Sequence, residues 1–173
     1  MSKEKKDKQD QILWVSREGY QILLERRDKL IELIRKKKLE LGRVAAEDHD
    51  LPENIAFKEL RVELMFNLPR KMADLNLQFS RAQIIEESEE WQKADFKTVC
   101  LGSTVMVGFG ENDIENFTIL GPIEVDVNKG IISYESPLGV SLLGKSVGDK
   151  ALINSPDGSF EVTVLSIKRG IEG

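Results

Sequence analysis

Four acids crowd into seven positions of this chain, Glu47, Asp48, Asp50 and Glu53, and the single histidine, His49, lies among them. Carboxylates are natural ligands of Mg²⁺, which keeps several of its waters and takes only one or two protein oxygens. A carboxylate pair that completes a metal site can fix a second ion and orient a water for phosphodiester hydrolysis. The segment has no apolar pocket and no groups to orient a substrate, so self-contained catalysis is a poor fit. It suits delivery of oxygen ligands into another protein's cavity. A plainer reading stands beside this one. Asp50 and Glu53 are three apart, with Pro52 between them, which is the capping-box arrangement of a helix start. Acidic loops are otherwise solvated surface, and His49 is then an idle loop residue.

The acids lie between two helical stripes, and these must position them. Ser16 precedes the first as a candidate cap. Its apolar positions are Leu23, Leu30, Ile34, Leu41 and Val44, with Arg27 and Lys37 interrupting the seam. In the second, Met65, Leu68, Met72, Leu75, Phe79 and Ala82 follow one another by three and four residues. Such spacing is the seam of a coiled coil, and a short polar join folds the two stripes back as an antiparallel hairpin. Each arm of roughly 30 residues would extend about 45 Å. Pro69 lies inside the second stripe and should kink it. The reading is a tail over 1–13, a hairpin over 14–92 and an acidic tip near 47–53.

From Thr98 onward the pattern changes to strands and turns. Ser103 to Gly108, Glu115 to Leu120 and Gly130 to Tyr134 read as short strands. Ser136 and Pro137 cap and open a short helix that Gly144 closes. Ala151 to Ile153 and Phe160 to Val164 flank the turn Ser155-Pro156-Asp157-Gly158. This half is a compact α+β domain over 97–170. No apolar run approaches the ~20 residues of a membrane helix, and the charged start, Met1 to Lys8, lacks the apolar core of a secretory signal. One cysteine, Cys100, excludes an internal disulfide and fits a reducing, cytoplasmic setting. The net charge of −5 over 173 residues argues against broad binding to nucleic acid, which needs clustered Lys and Arg.

Several blocks carry a family likeness. Asp50-Leu51-Pro52-Glu53-Asn54-Ile55-Ala56-Phe57 resembles the tip motif of the Gre family of bacterial transcript cleavage factors. Val15 to Tyr20 is similar to that family's opening pattern, and Ser80 to Ile85 to the end of its second helix. Ile132 to Leu138, Leu142 to Lys145, and Gly148-Asp149 resemble the signature of its FKBP-like C-terminal domain. The resemblance implies an α+β protein: an N-terminal antiparallel coiled-coil hairpin and a C-terminal FKBP-like domain. It further implies a non-enzyme that binds RNA polymerase, with the globular domain at the rim of the secondary channel and the hairpin inside it. Asp50 and Glu53 match the two acids that act in trans at the polymerase's catalytic Mg²⁺, where backtracked RNA is cut. Arg61 and Arg70 match basic positions used towards the nascent RNA 3′ end. Ser136, Pro137, Leu138 and Gly144 fall in the polymerase-docking region. A hairpin that satisfies its own seam favours a monomer, the lack of a long apolar run means no membrane, and a few exposed carboxylates mean no metal of its own; no cofactor and a DNA-binding association complete the expectation.

The chain departs from the family pattern at the tip. His49 stands where glycine is usual, Phe57 where tyrosine is, and Ala46 where arginine is frequent, while Glu47 and Asp48 add negative charge. The sparse basic patch leans towards the A-type branch. Three functions remain open on the residues: stimulation of cleavage, inhibition through the same channel by the extra acids, and a coiled-coil adaptor or chaperone with an FKBP-like domain.

Overall fold

The computed structural model describes residues 12–47, 53–110, 113–155 and 158–172. These fall into two compact units, one of residues 23–81 and one combining 1–22 with 82–173.

The first unit is helical. Helix α1 (Arg17–Glu47) runs for 31 residues; its start, residues 17–22, belongs to the other unit, where the Ser16 Oγ accepts from the Gly19 N–H at 3.1 Å. Helix α2 (Ile55–Val62) passes through a single π turn, Glu63–Asn67, into α3 (Leu68–Arg81). The Arg27 guanidinium lies 5.6 Å from the centre of the Phe79 ring, and Lys37 Nζ lies 3.6 Å from Glu63. Contacts that climb one helix while descending the other make the pair antiparallel. The two cations that interrupt the stripe therefore have partners across the seam. Among the described residues, Leu23, Leu60, Leu68 and Leu75 are the buried apolar side chains of this unit.

Two details of the second stripe differ from the sequence reading. Met65 is 58% exposed, and its neighbour Leu64, half-buried, takes the inward place. The irregularity at the proline takes the form of the π turn. The Leu68 N–H bonds to the Glu63 carbonyl, five residues back, and Pro69 follows in the first turn of α3. A π turn adds one residue to the helix, and a proline is tolerated in a first turn because no donor is needed there.

The second unit carries a five-stranded mixed sheet in the order β5-β4-β3-β7-β6. Its strands are β3 (Ser103–Gly108), β4 (Ile114–Leu120), β5 (Ile131–Ser133), β6 (Lys150–Ser155) and β7 (Gly158–Arg169). Only β4 and β5 pair in parallel. Alternation along β3 turns Val105 and Val107 inward, and they meet Ile119, Ile153, Val162 and Val164 under the short helix α5 (Pro137–Leu142). The strands and the capped helix fall where the pattern placed them. A two-stranded parallel ribbon was not foreseen: β1 (Leu13–Val15) pairs with β2 (Ala82–Ile84). Beyond β2 the chain makes a 3₁₀ turn, Ile85–Glu87, and the one-turn helix α4 (Glu89–Gln92). Ile85 and Trp91 are buried there with Leu120, so the stretch 82–92 packs with the sheet unit rather than with the arm.

Candidate functional site

The join of the arm holds the acids. Glu47 closes α1, exposed. His49, Asp48 and Asp50 lie outside the described residues, as do Leu51 and Pro52. Glu53 is an exposed turn residue one position ahead of the cap of α2. That cap is Asn54, whose side chain accepts from the Phe57 N–H at 2.9 Å. The capping box expected from Asp50 and Glu53 is therefore displaced: Asn54 already satisfies the first-turn donor. Among the described residues no side chain pairs with the Glu53 carboxylate.

Arg61 and Arg70 occupy the second side of the arm. The Arg61 guanidinium lies 5.7 Å from the centre of the Phe57 ring and reaches the Met65 sulfur at 4.0 Å. Phe57, without the hydroxyl of a tyrosine, thus serves as a platform for a cation. Arg70 is exposed on α3, beyond the π turn.

In the sheet unit, the four expected docking residues come together at the two ends of α5. Ser136 caps it, accepting from Gly139 N–H at 3.1 Å and donating to the Ser133 carbonyl at 2.6 Å. Pro137 is exposed in the first turn and Leu138 packs against the core. Gly144 stands just past the helix at φ +77°, a conformation glycine adopts freely. Its N–H bonds to the Val99 carbonyl at 2.8 Å.

Cys100 is half-buried. Burial pushes its thiol above the ordinary range, and the Asp95 carboxylate adds to the shift, so it is a poor nucleophile. Among the described residues no group of three or more His, Cys, Asp and Glu could hold a metal ion. No helix among them is long and apolar enough to cross a membrane.

Sequence reasoning missed two buried acids, Glu86 and Glu124, which are 5% and 8% exposed. Glu86 Oε1 accepts from the Arg17 N–H at 2.9 Å, and Glu124 Oε2 accepts from the Ser16 N–H at 3.0 Å. The local signal was slight: Glu86 stands in a run with Glu87, Glu89 and Glu90 that reads as a solvated charge cluster, and Glu124 is a single glutamate in a short connecting segment.

Comparison with known proteins matches residues 93–169 to the family described as "Transcription elongation factor, GreA/GreB, C-term". The transcription elongation factor GreA of Shouchella clausii (strain KSM-K16) is 34% identical over 156 residues, covering 90% of this chain and 96% of that protein. GreA of Clostridioides difficile (strain 630) is 35% identical over 156 residues, covering 90% and 95%. Among solved structures, GreA factor homolog 1 (Gfh1) of Thermus thermophilus is 23% identical over 91% of this chain and 99% of that one. Its TM-score is 0.39, too loose a superposition to bear on activity. Direct DNA binding gains no support from these relatives or from the acidic composition. The match to GreA proteins over 90% of the chain, through both the helical arm and the sheet unit, places this chain in the GreA/GreB family of transcription elongation factors.

Proposed function

We infer that this protein is a GreA-type factor that makes RNA polymerase cleave its own backtracked RNA, releasing stalled complexes. The observation that carries this reading is the match to GreA proteins along 90% of the chain. The partner is RNA polymerase, in the cytoplasm, and the protein acts as a monomeric accessory factor with no cofactor of its own. Asp50 and Glu53 supply carboxylates to the Mg²⁺ site of the polymerase. There the two would hold a second ion, whose chemistry is to activate and orient the attacking water. Displacement of the cap to Asn54 supports this role, because Glu53 need not serve the helix. Arg61 and Arg70 face the RNA 3′ end, where guanidinium groups neutralise phosphate. The two ends of α5, with Ser136, Pro137, Leu138 and Gly144, dock at the channel rim.

The test is RNA cleavage in a purified, backtracked elongation complex with Mg²⁺, with and without the protein. Short 3′ fragments should appear faster with it. Asp50→Asn and Glu53→Gln should each abolish the stimulation and leave polymerase binding intact. Cleavage at the normal rate by either variant would remove that residue from the site. A second reading is favoured by one feature, the extra acids Glu47 and Asp48 at the tip. A factor that suppresses nucleotide addition without cutting RNA would be a channel inhibitor, and the same complexes report it.

A further inference from the structure

The arm is one continuation of the sheet unit's own backbone, and its entry is built with more polar chemistry than a helix start requires. The chain enters α1 from β1 and returns from α3 into β2, and these two strands pair side by side: Leu13 with Ala82, Trp14 with Gln83, Val15 with Ile84. The first backbone donors of a helix have no partner within it. Here two of them, on Ser16 and Arg17, are taken by the carboxylates of Glu124 and Glu86, at 3.0 and 2.9 Å. The Ser16 hydroxyl donates to the second oxygen of Glu124 while accepting from Gly19 N–H at 3.1 Å. Ser16 is 2% exposed and the two acids 8% and 5%. One serine alone would cap this helix. Two acids from separate segments, 69 and 108 residues away along the chain, tie its first turn from two directions. The space is fitted to this: a Cβ on Gly19 would lie 2.3 Å from the Glu124 carboxyl carbon.

We propose that Glu124, assisted by Glu86, is a positioning residue for the cleavage reaction: the two carboxylates fix the first turn of α1, the helix whose last residue, Glu47, opens the acidic tip. Negative charge at a helix N-terminus is favourable in itself, and a charge-assisted bond to a backbone N–H is directional. A helix whose first turn loses its anchors frays from that end, and a misplacement of about 1 Å can cost a reaction about a hundredfold.

This rests on the cleavage reading above, and the test separates the two. Glu124→Gln places an amide donor against Ser16 and removes the charge. Gly19→Ala pushes the same carboxylate aside and leaves its charge in place. For each, two quantities are measured in backtracked complexes: the cleavage rate at saturating factor, and the factor concentration giving half the effect. In parallel, amide hydrogen exchange at Ser16, Arg17 and Gly19 is followed by NMR in the free protein. The expected result is a saturating rate lowered by about tenfold or more, a half-effect concentration changed by less than about twofold, and faster exchange at those amides. Glu86→Gln should do the same to a smaller degree, and circular dichroism at 222 nm together with tryptophan fluorescence should show each variant folded. Unchanged exchange in both Glu124→Gln and Gly19→Ala overturns the proposal, as does a loss that lies in the half-effect concentration alone. If the unaltered protein fails to stimulate cleavage, the cleavage reading falls, and the exchange rates still decide whether Glu124 holds the first turn.

Discussion

Leu68→Ala should uncouple the stability of the arm from that of the sheet unit. Leu68 is fully buried and, with Leu23, Leu60 and Leu75, supplies the arm's buried apolar side chains among the described residues. It also stands where the helix resumes after the π turn. Truncating a buried leucine costs about 2–5 kcal/mol, the transfer term plus the cavity left behind. A unit of about 60 residues has a stability of about 3–9 kcal/mol, so this one change removes about a fifth of it at the least. For a unit of that size the arm's melting temperature should drop by about 10 °C or more.

The chain carries its own reporters for the two units. Its two tryptophans, Trp14 and Trp91, both belong to the sheet unit, whereas the far-ultraviolet helical signal comes mainly from α1, α2 and α3. Circular dichroism at 222 nm and tryptophan fluorescence should therefore give separate transitions in Leu68→Ala, with the first moved down and the second held. Leu39→Ala is the control: Leu39 is 63% exposed on α1, and its loss should change either transition by less than about 0.5 kcal/mol. If the two probes fall together in Leu68→Ala, or the helical transition moves by less than about 1 kcal/mol, the claim that four leucines hold the arm is refuted.

Arg27→Ala should lower the helical transition by about 0.5–1 kcal/mol, the worth of a partly exposed guanidinium on an aromatic face, and leave fluorescence unmoved. Cys100 should alkylate slowly at neutral pH, with a rate still rising where an ordinary thiol has levelled off, because burial raises its pKa. Mass spectrometry of iodoacetamide-treated protein across a pH series measures this. The Asp95 carboxyl, beside Lys97 at 2.8 Å, should titrate below the usual aspartate range. The bond to the Lys97 side chain is the leading cause. A folded pKa below the unfolded one means that its contribution is present above the unfolded value and lost as pH falls through the folded one. Carboxyl NMR should show the midpoint return upward in Lys97→Ala.

The sheet unit was legible because its signals are local. Alternation in Ser103 to Gly108 and the Ser136-Pro137 helix start each depend on neighbours within a few positions. The arm's antiparallel pairing followed from spacing as well. What escaped notice depends on partners far away in the chain. Three residues, Leu13 to Val15, become a strand only because Ala82 to Ile84 lie alongside, and three residues carry no readable period. Glu86 and Glu124 acquire their role from a helix start 69 and 108 residues away. The cap of α2 was misread for a different reason. Asp50, Glu53 and Asn54 all have capping chemistry, and propensity does not choose among adjacent candidates.

The inward place of Leu64 over Met65 can be traced to counting, and it leads to a last prediction. Leu60, Leu64, Leu68 and Met72 follow at four, four and four residues. A heptad seam alternates three and four, so the stripe holds one residue too many between Leu60 and Met72. The π turn absorbs it, since it inserts a single residue into the helix. On this account the seam sets the irregularity, and Pro69 only tolerates it. Pro69→Ala should therefore keep the π turn, keep Leu68 buried, and change the arm's stability by no more than about 1 kcal/mol. Met65 reports the outcome: the residue is 58% exposed, with Arg61 against its sulfur, and it would be covered in a regular helix of shifted register. Oxidation by dilute peroxide, followed residue by residue in the mass spectrum, should proceed at Met65 equally fast in both proteins. Protection of Met65 in Pro69→Ala would mean that the proline, and not the spacing of the leucines, imposes the turn.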